Sequence, residues 1–286
     1  MKHISALLAV IAVGLLSLGT VATGARAAEL WQSLSAPAAM PEPTVSGYAN
    51  VDGVKIYFAT FGSGEPLVLL HGGLGNTDYW GGQIAAFSAK HKVIAIASRG
   101  HGRSTNDGSP LGYHLMATDV LAVMDALDID KAAIVGWSDG GNIGLDIAIN
   151  HPDRLTKLFA FGANYNPSGV MPSVETNATF GAYVTLSGEY YGKLSATPAK
   201  FDDFVGELVK MWADQPNFSP AQLGSIPVPV AIADGEHDEA IDPKHTAKMA
   251  SLIPGAKLVI LPGLSHFAMW QDPGTFNAAV LKYLAQ

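Results

Sequence analysis

The sequence predicts an α/β fold, a mostly parallel sheet flanked by helices and broken once by a helical insertion. Three observations carry this. Short, continuously apolar runs such as "PLVLLHGG" (66–73) and "KAAIVGWS" (131–138) end in glycine or a small residue, as strands buried on both faces do. Segments with helical spacing of apolar residues separate these runs. The alternation stops over 164–226, where helix-like pieces such as "FDDFVGELVKMWADQ" (201–215) follow one another without a buried strand, and then resumes.

Taken in order, "GYANVDGVKIYFATFG" (47–62) holds Asp52-Gly53 between two alternating runs, a hairpin signal. After the strand at 66–73 comes a helix over 77–90, with Asn76 and Thr77 as cap candidates. The runs 92–98, 131–138, 155–163, 228–235 and 256–263 read as further strands. Helices are expected over 113–127, from Gly140 to a stop at Pro152, near 243–252 with Asp242 as cap, and over 272–284. The domain boundaries are therefore 46–163 and 227–286 for the core and 164–226 for the insertion.

The chain has 286 residues, 48% of them hydrophobic, enough for one large α/β domain or two small ones. Residues 1–27 read as a secretory signal peptide: Lys2, an uncharged apolar run from Ile4 to about Leu18, and Ala25-Arg26-Ala27 as cleavage site. Export to the periplasm or medium is expected, with no stable membrane insertion after cleavage. Residues 28–45, rich in Pro, Ala and Ser, read as a flexible lead-in. Removing Lys2 and Arg26 takes the formal charge from −8 to −10, and an acidic chain without basic clusters argues against nucleic acid or anionic membrane as partner. The absence of cysteine removes disulfides, zinc-thiolate sites and thiol nucleophiles.

Chemistry concentrates in "GWSDGG" (136–141), a Gly-x-Ser-x-Gly pattern at a strand-to-helix junction. There a sharp turn presents Ser138, and Gly136 and Gly140 must be small so that strand and helix can approach. A serine nucleophile needs a base. Of nine histidines, His266 in "LPGLSHFAMWQDP" lies just past the last strand, at the sheet edge from which the serine emerges. His237 and His245 lie in loops crowded with acids, while His91 and His151 read as residues closing helices. For the group that would orient the imidazole, "VAIADGEHDEAIDP" (230–243) offers Asp238, inside the loop, with Asp234 as runner-up. "LLHGGLGN" (69–76) supplies a glycine-rich turn after a strand. The amides of Gly73 and Asp139 are the expected oxyanion donors, with Leu74 as an alternative to Gly73 and His71 as a structural residue of the loop.

Together, "HGG", "SRGHGRST" (98–105), "GWSDGG", "GEHDEAID" (235–242) and "LPGLSH" (261–266) resemble the α/β-hydrolase superfamily over about residues 46–286. With "FGANY" (161–165) the similarity leans towards valacyclovir hydrolase and the haloperoxidase-like esterases. The resemblance implies the α/β-hydrolase fold, a helical lid over 164–226 and a Ser138–Asp238–His266 triad. It also implies a role for the Asp139 carboxylate in holding the amino group of an amino-acid ester, against the plainer reading of a charge at a helix start. Ala97 stands where the family commonly has an aspartate, which puts the local turn network in question.

These readings converge on an exported serine hydrolase of small-molecule carboxylic esters that needs no metal or organic cofactor. Carbon–carbon hydrolysis, lactone opening or perhydrolysis on the same triad are the alternatives, and a silent binding protein on this fold is a third class. The insertion's aromatics (Tyr165, Phe180, Tyr183, Tyr190, Tyr191, Trp212) fit lid core and pocket wall equally well.

Overall fold

A computed structural model describes residues 29–286; the signal peptide expected over 1–27 lies outside the described residues. One eight-stranded sheet runs through it: β1 (Val45–Val51), β2 (Val54–Phe61), β3 (Glu65–Leu70), β4 (His91–Ile96), β5 (Ala132–Trp137), β6 (Leu155–Phe161), β7 (Val230–Gly235) and β8 (Lys257–Leu261). The spatial order is β1-β2-β4-β3-β5-β6-β7-β8, parallel from β4 onward, with β1 and β2 as the antiparallel end. At the β1–β2 turn Asp52 and Gly53 both take positive φ (47° and 87°), the mirror-image turn whose twist suits a hairpin.

The uninterrupted apolar runs are explained by burial. All six residues of β5 and all six of β7 are buried, because helices cover both faces. These are α1 (Gly81–Ser88), α2 (Tyr113–Ala126), α3 (Asp139–Asn150), α7 (Pro243–Leu252), α8 (Ala268–Gln271) and α9 (Pro273–Leu284). The expected caps form: Asn76 accepts from the amide of Asp78 at 2.9 Å and Asp242 from that of Lys244 at 2.8 Å. Between β6 and β7 the insertion contributes α4 (Ala178–Leu194), α5 (Phe201–Asp214) and α6 (Pro220–Gly224). Among the described residues no helix is long and apolar enough to cross a membrane.

Two expectations need correction. Residues 29–44 are not a free lead-in but a strap laid over the core. Trp31 stacks on His237 with ring centroids 4.5 Å apart, and the carbonyl of Ser33 accepts from Nε2 of Gln271 at 3.0 Å. Leu34 and Met40 pack on the core, and Gly81 is small because a Cβ there would strike the carbonyl of Ala38. Apolar anchors spaced through a Pro/Ala-rich stretch outweighed its composition. His91 does not close a helix either; it opens β4, because α1 stops at Ser88 and the chain turns at once into the sheet.

Candidate active site

Ser138 sits between β5 and α3 at φ 53°, ψ −117°, a conformation L-residues rarely adopt. Its amide donates to the carbonyl of Phe161 at 2.7 Å, and its carbonyl accepts from Gly141 and Asn142. The flanking glycines are steric requirements. A Cβ on Gly136 would collide with the carbonyl of Gly140, and one on Gly140 with the carbonyl of Leu70. Backbone of β3, β5 and α3 meets here without room for a methyl group, and the half-buried serine is pushed out at the carboxyl edge of the sheet.

His266 reaches the same edge from the loop after β8. Its ring is buried 5.8 Å from that of Trp137, the residue before Ser138. Nδ1 lies 2.7 Å from Oδ2 of Asp238, while Oδ1 of Asp238 accepts the amides of Ala240 and Ile241, both at 2.7 Å. Burial works against a charged imidazole, but Asp238 outweighs it and the His266 pKa is raised. Burial likewise disfavours the Asp238 carboxylate, yet His266 and the amides hold its pKa low. Asp234, the runner-up, instead accepts from Thr246 at 2.6 Å and from the amide of Gly235 at 2.9 Å. Burial, with the charge of Asp238 beside it, raises its pKa well above the usual carboxylate value.

The glycine-rich loop after β3 is held by His71, as expected. Nε2 of His71 accepts from the amide of Ser98 at 3.1 Å, which makes Nδ1 the protonated nitrogen, donating to the carbonyl of Gly72 at 2.7 Å. Burial drops the His71 pKa to about 4 and keeps it neutral. Gly73 lies against Asp139, since a Cβ there would come within 2.6 Å of Oδ2. The two amides expected as oxyanion donors thus belong to neighbouring residues.

The Asp139 side chain, in the first turn of α3, is buried and engaged by donors from two other elements. Oδ1 accepts from the Tyr113 hydroxyl at 2.7 Å, and the indole N–H of Trp212 reaches both oxygens, at 3.1 and 2.9 Å. Burial raises its pKa. These partners come from α2 and α5, 26 residues before and 73 after it, and no local pattern announces them.

The remaining candidates have other duties. His245 lies in α7, accepts from the amide of Tyr165 at 3.1 Å and stacks on its ring; His237 stacks on Trp31, and His151 closes α3. Glu239, another of the acids that the 230–243 loop offers, accepts from the amide of His266 at 3.0 Å and so fixes the loop carrying the imidazole. Its position next to Asp238 was the available signal. The turn at Ala97 is sound without an aspartate: Arg99 forms a two-pronged pair with Asp119 of α2 at 2.7 and 2.6 Å, and Ser104 closes onto the Ala97 carbonyl at 2.7 Å.

Residues 65–204 match the family described as the alpha/beta hydrolase fold. RutD of Caulobacter segnis, a carbamate hydrolase by name, is 29% identical over 246 residues, covering 78% of this chain and 92% of the relative. The non-heme haloperoxidase of Rhodococcus erythropolis is 27% identical over 266 residues, covering 82% and 97% respectively. The solved structure of an N-acyl homoserine lactone degrading enzyme superposes with a TM-score of 0.66 at 29% identity, covering 82% of this chain and 99% of that one.

Proposed function

Since the chain belongs to the α/β-hydrolase superfamily and is a hydrolase of that type, we propose that it cleaves carboxylic esters through an acyl-enzyme on Ser138. The observation that carries this is the 2.7 Å contact of His266 Nδ1 with Asp238, at the sheet edge where the Ser138 turn emerges. With Nδ1 engaged, Nε2 is the nitrogen left to take the serine proton. Ser138 Oγ attacks the acyl carbon, His266 takes its proton, and Asp238 stabilises the imidazolium. The amides of Gly73 and Asp139 receive the oxyanion. His266 then protonates the leaving alcohol, and water deacylates the serine by the same route.

The acyl group is neutral or cationic in this reading, because Asp139 and Asp238 repel an anionic one. A lactone is an internal ester and falls within the same chemistry, which the lactone-degrading structural relative supports. Residues 164–226 act as the lid. Export, with cleavage after Ala27, is part of the proposal, supported by the basic start, the apolar run and the Ala-x-Ala site; amino-terminal sequencing of the secreted protein tests it.

A fluorophosphonate probe tests the reaction. It should label the wild type at Ser138 and leave Ser138→Ala unlabelled; an unlabelled wild type that turns over no ester overturns the proposal. A panel of aryl esters and lactones with neutral, amino and carboxylate acyl groups then sets the substrate class. The anionic member should be slowest and gain most from Asp139→Asn.

A further inference from the structure

Gly73 has no side chain to select its own φ and ψ, so its conformation is imposed from outside. Its two flanking peptides are pinned from different parts of the fold. The carbonyl of Gly72 accepts from His71 Nδ1 at 2.7 Å and from the amide of Gly75 at 3.0 Å. In a trans peptide the N–H points opposite to the carbonyl, so these bonds aim the Gly73 N–H away from His71. The next carbonyl, that of Gly73 itself, accepts from the hydroxyl of Tyr183 at 2.5 Å. The Cα face of Gly73 is closed by the Trp212 ring and the Asp139 carboxylate, with no space for a Cβ.

Tyr183 lies in α4 and Trp212 in α5, both in the insertion. Tyr183 is fully buried, with its ring 5.5 Å from Trp137 and 5.1 Å from Phe267, so the hydroxyl is carried on a packed aromatic cluster. Trp212 donates to Asp139, whose amide is the second expected donor. Each oxyanion donor therefore belongs to a residue that the insertion grips.

We propose that Tyr183 and Trp212 are positioning residues that hold the peptide after Gly73 and the carboxylate of Asp139, and through them tune the two oxyanion amides, so that the site is fully competent only while the insertion is seated on it. The proposal rests on the serine-hydrolase reading above. It assigns the insertion a part in stabilising the transition state, separate from covering the substrate.

The test uses full-length Tyr183→Phe, which keeps the ring and removes the donor, and Trp212→Phe as a second variant. Four quantities are measured: kcat and KM on a neutral aryl ester, affinity for a boronic acid that forms a tetrahedral serine adduct, affinity for the unreactive amide analogue, and the melting temperature. Loosening a donor should cost less than deleting one, which lowers kcat by roughly a hundredfold or more. The expected result is a parallel loss in kcat and boronate affinity on the order of tenfold, with KM and amide affinity within about twofold. Unchanged kcat and boronate affinity in both variants overturn the proposal. So does an equal loss for boronate and amide, which marks a packing defect alone. If the wild type itself neither reacts with a fluorophosphonate nor turns over esters, the serine-hydrolase reading falls and takes this one with it; an active wild type beside equally active variants defeats this one only.

Discussion

Asp238 meets His266 with one oxygen at 2.7 Å while its other oxygen is occupied by the amides of Ala240 and Ile241. The carboxylate cannot rotate without giving up two backbone bonds, so it fixes both the tautomer and the tilt of the imidazole. Asp238→Asn should lower kcat/KM on the order of 10³-fold or more, because the amide favours the wrong tautomer.

The same pair sets a pH dependence. Asp238 raises the pKa of His266 above its ordinary 6.5, so the acid limb of kcat/KM should have its midpoint above that value. In Asp238→Asn burial is opposed only by the more weakly acting charges of Glu239 and Asp139, so the residual activity should titrate at lower pH. The stabilisation that the charged imidazole gives the fold is complete below about 6.5 and is lost as pH rises through the folded pKa. Rate profiles and melting temperatures from pH 5 to 9 check both signs.

Ser138 holds a positive φ that costs on the order of 1–3 kcal/mol for a residue with a Cβ. Ser138→Gly should therefore melt a few degrees higher than the wild type while losing all labelling, and Ser138→Ala should melt close to it. A Ser138→Gly variant that melts lower would show that the turn stores no strain.

Asp139 is buried with a raised pKa, so its charge opposes folding at neutral pH. Asp139→Asn keeps an acceptor for Tyr113 or Trp212 and removes that charge. The variant's stability advantage should be full above the folded pKa of Asp139, shrink as pH falls through it, and vanish near 3.8. Urea unfolding at pH 4, 5.5 and 7.5 measures it.

Glycine to alanine changes should split sharply by position. Gly140→Ala drives a methyl group into the Leu70 carbonyl and should cost about 2–3 kcal/mol or more. Gly181, in α4 with open space around its Cα, should accept alanine with a gain of about 0.5–1 kcal/mol. Urea midpoints of the two variants decide it.

What sequence alone could reveal follows from how far apart the partners lie. The Asp52-Gly53 turn, the Asn76 and Asp242 caps and the glycine spacing around Ser138 are local, and each was legible. His266 and Asp238 could be picked because both follow strands and so must emerge at one edge of the sheet. Choosing Asp238 over Asp234 needed only its place in the loop. The grip of Trp212 and Tyr183 on Asp139 and Gly73 joins residues 73 to 110 positions apart, and among six insertion aromatics no spacing rule distinguishes them. The strap was misread because composition reports average flexibility, whereas Trp31, Leu34 and Met40 act individually.

The strap also ties two distant stretches of the chain together at this site. Ser33 bonds Gln271 across 238 positions of sequence, and that same Gln271 holds the amide and hydroxyl of Ser265, next to His266. Residues 29–34 therefore have no docking surface until nearly the whole chain has been made. Closing so long a loop adds little entropy per extra residue, but topologies dominated by distant contacts form slowly. The loop bearing the imidazole is thus braced by a contact that spans most of the sequence.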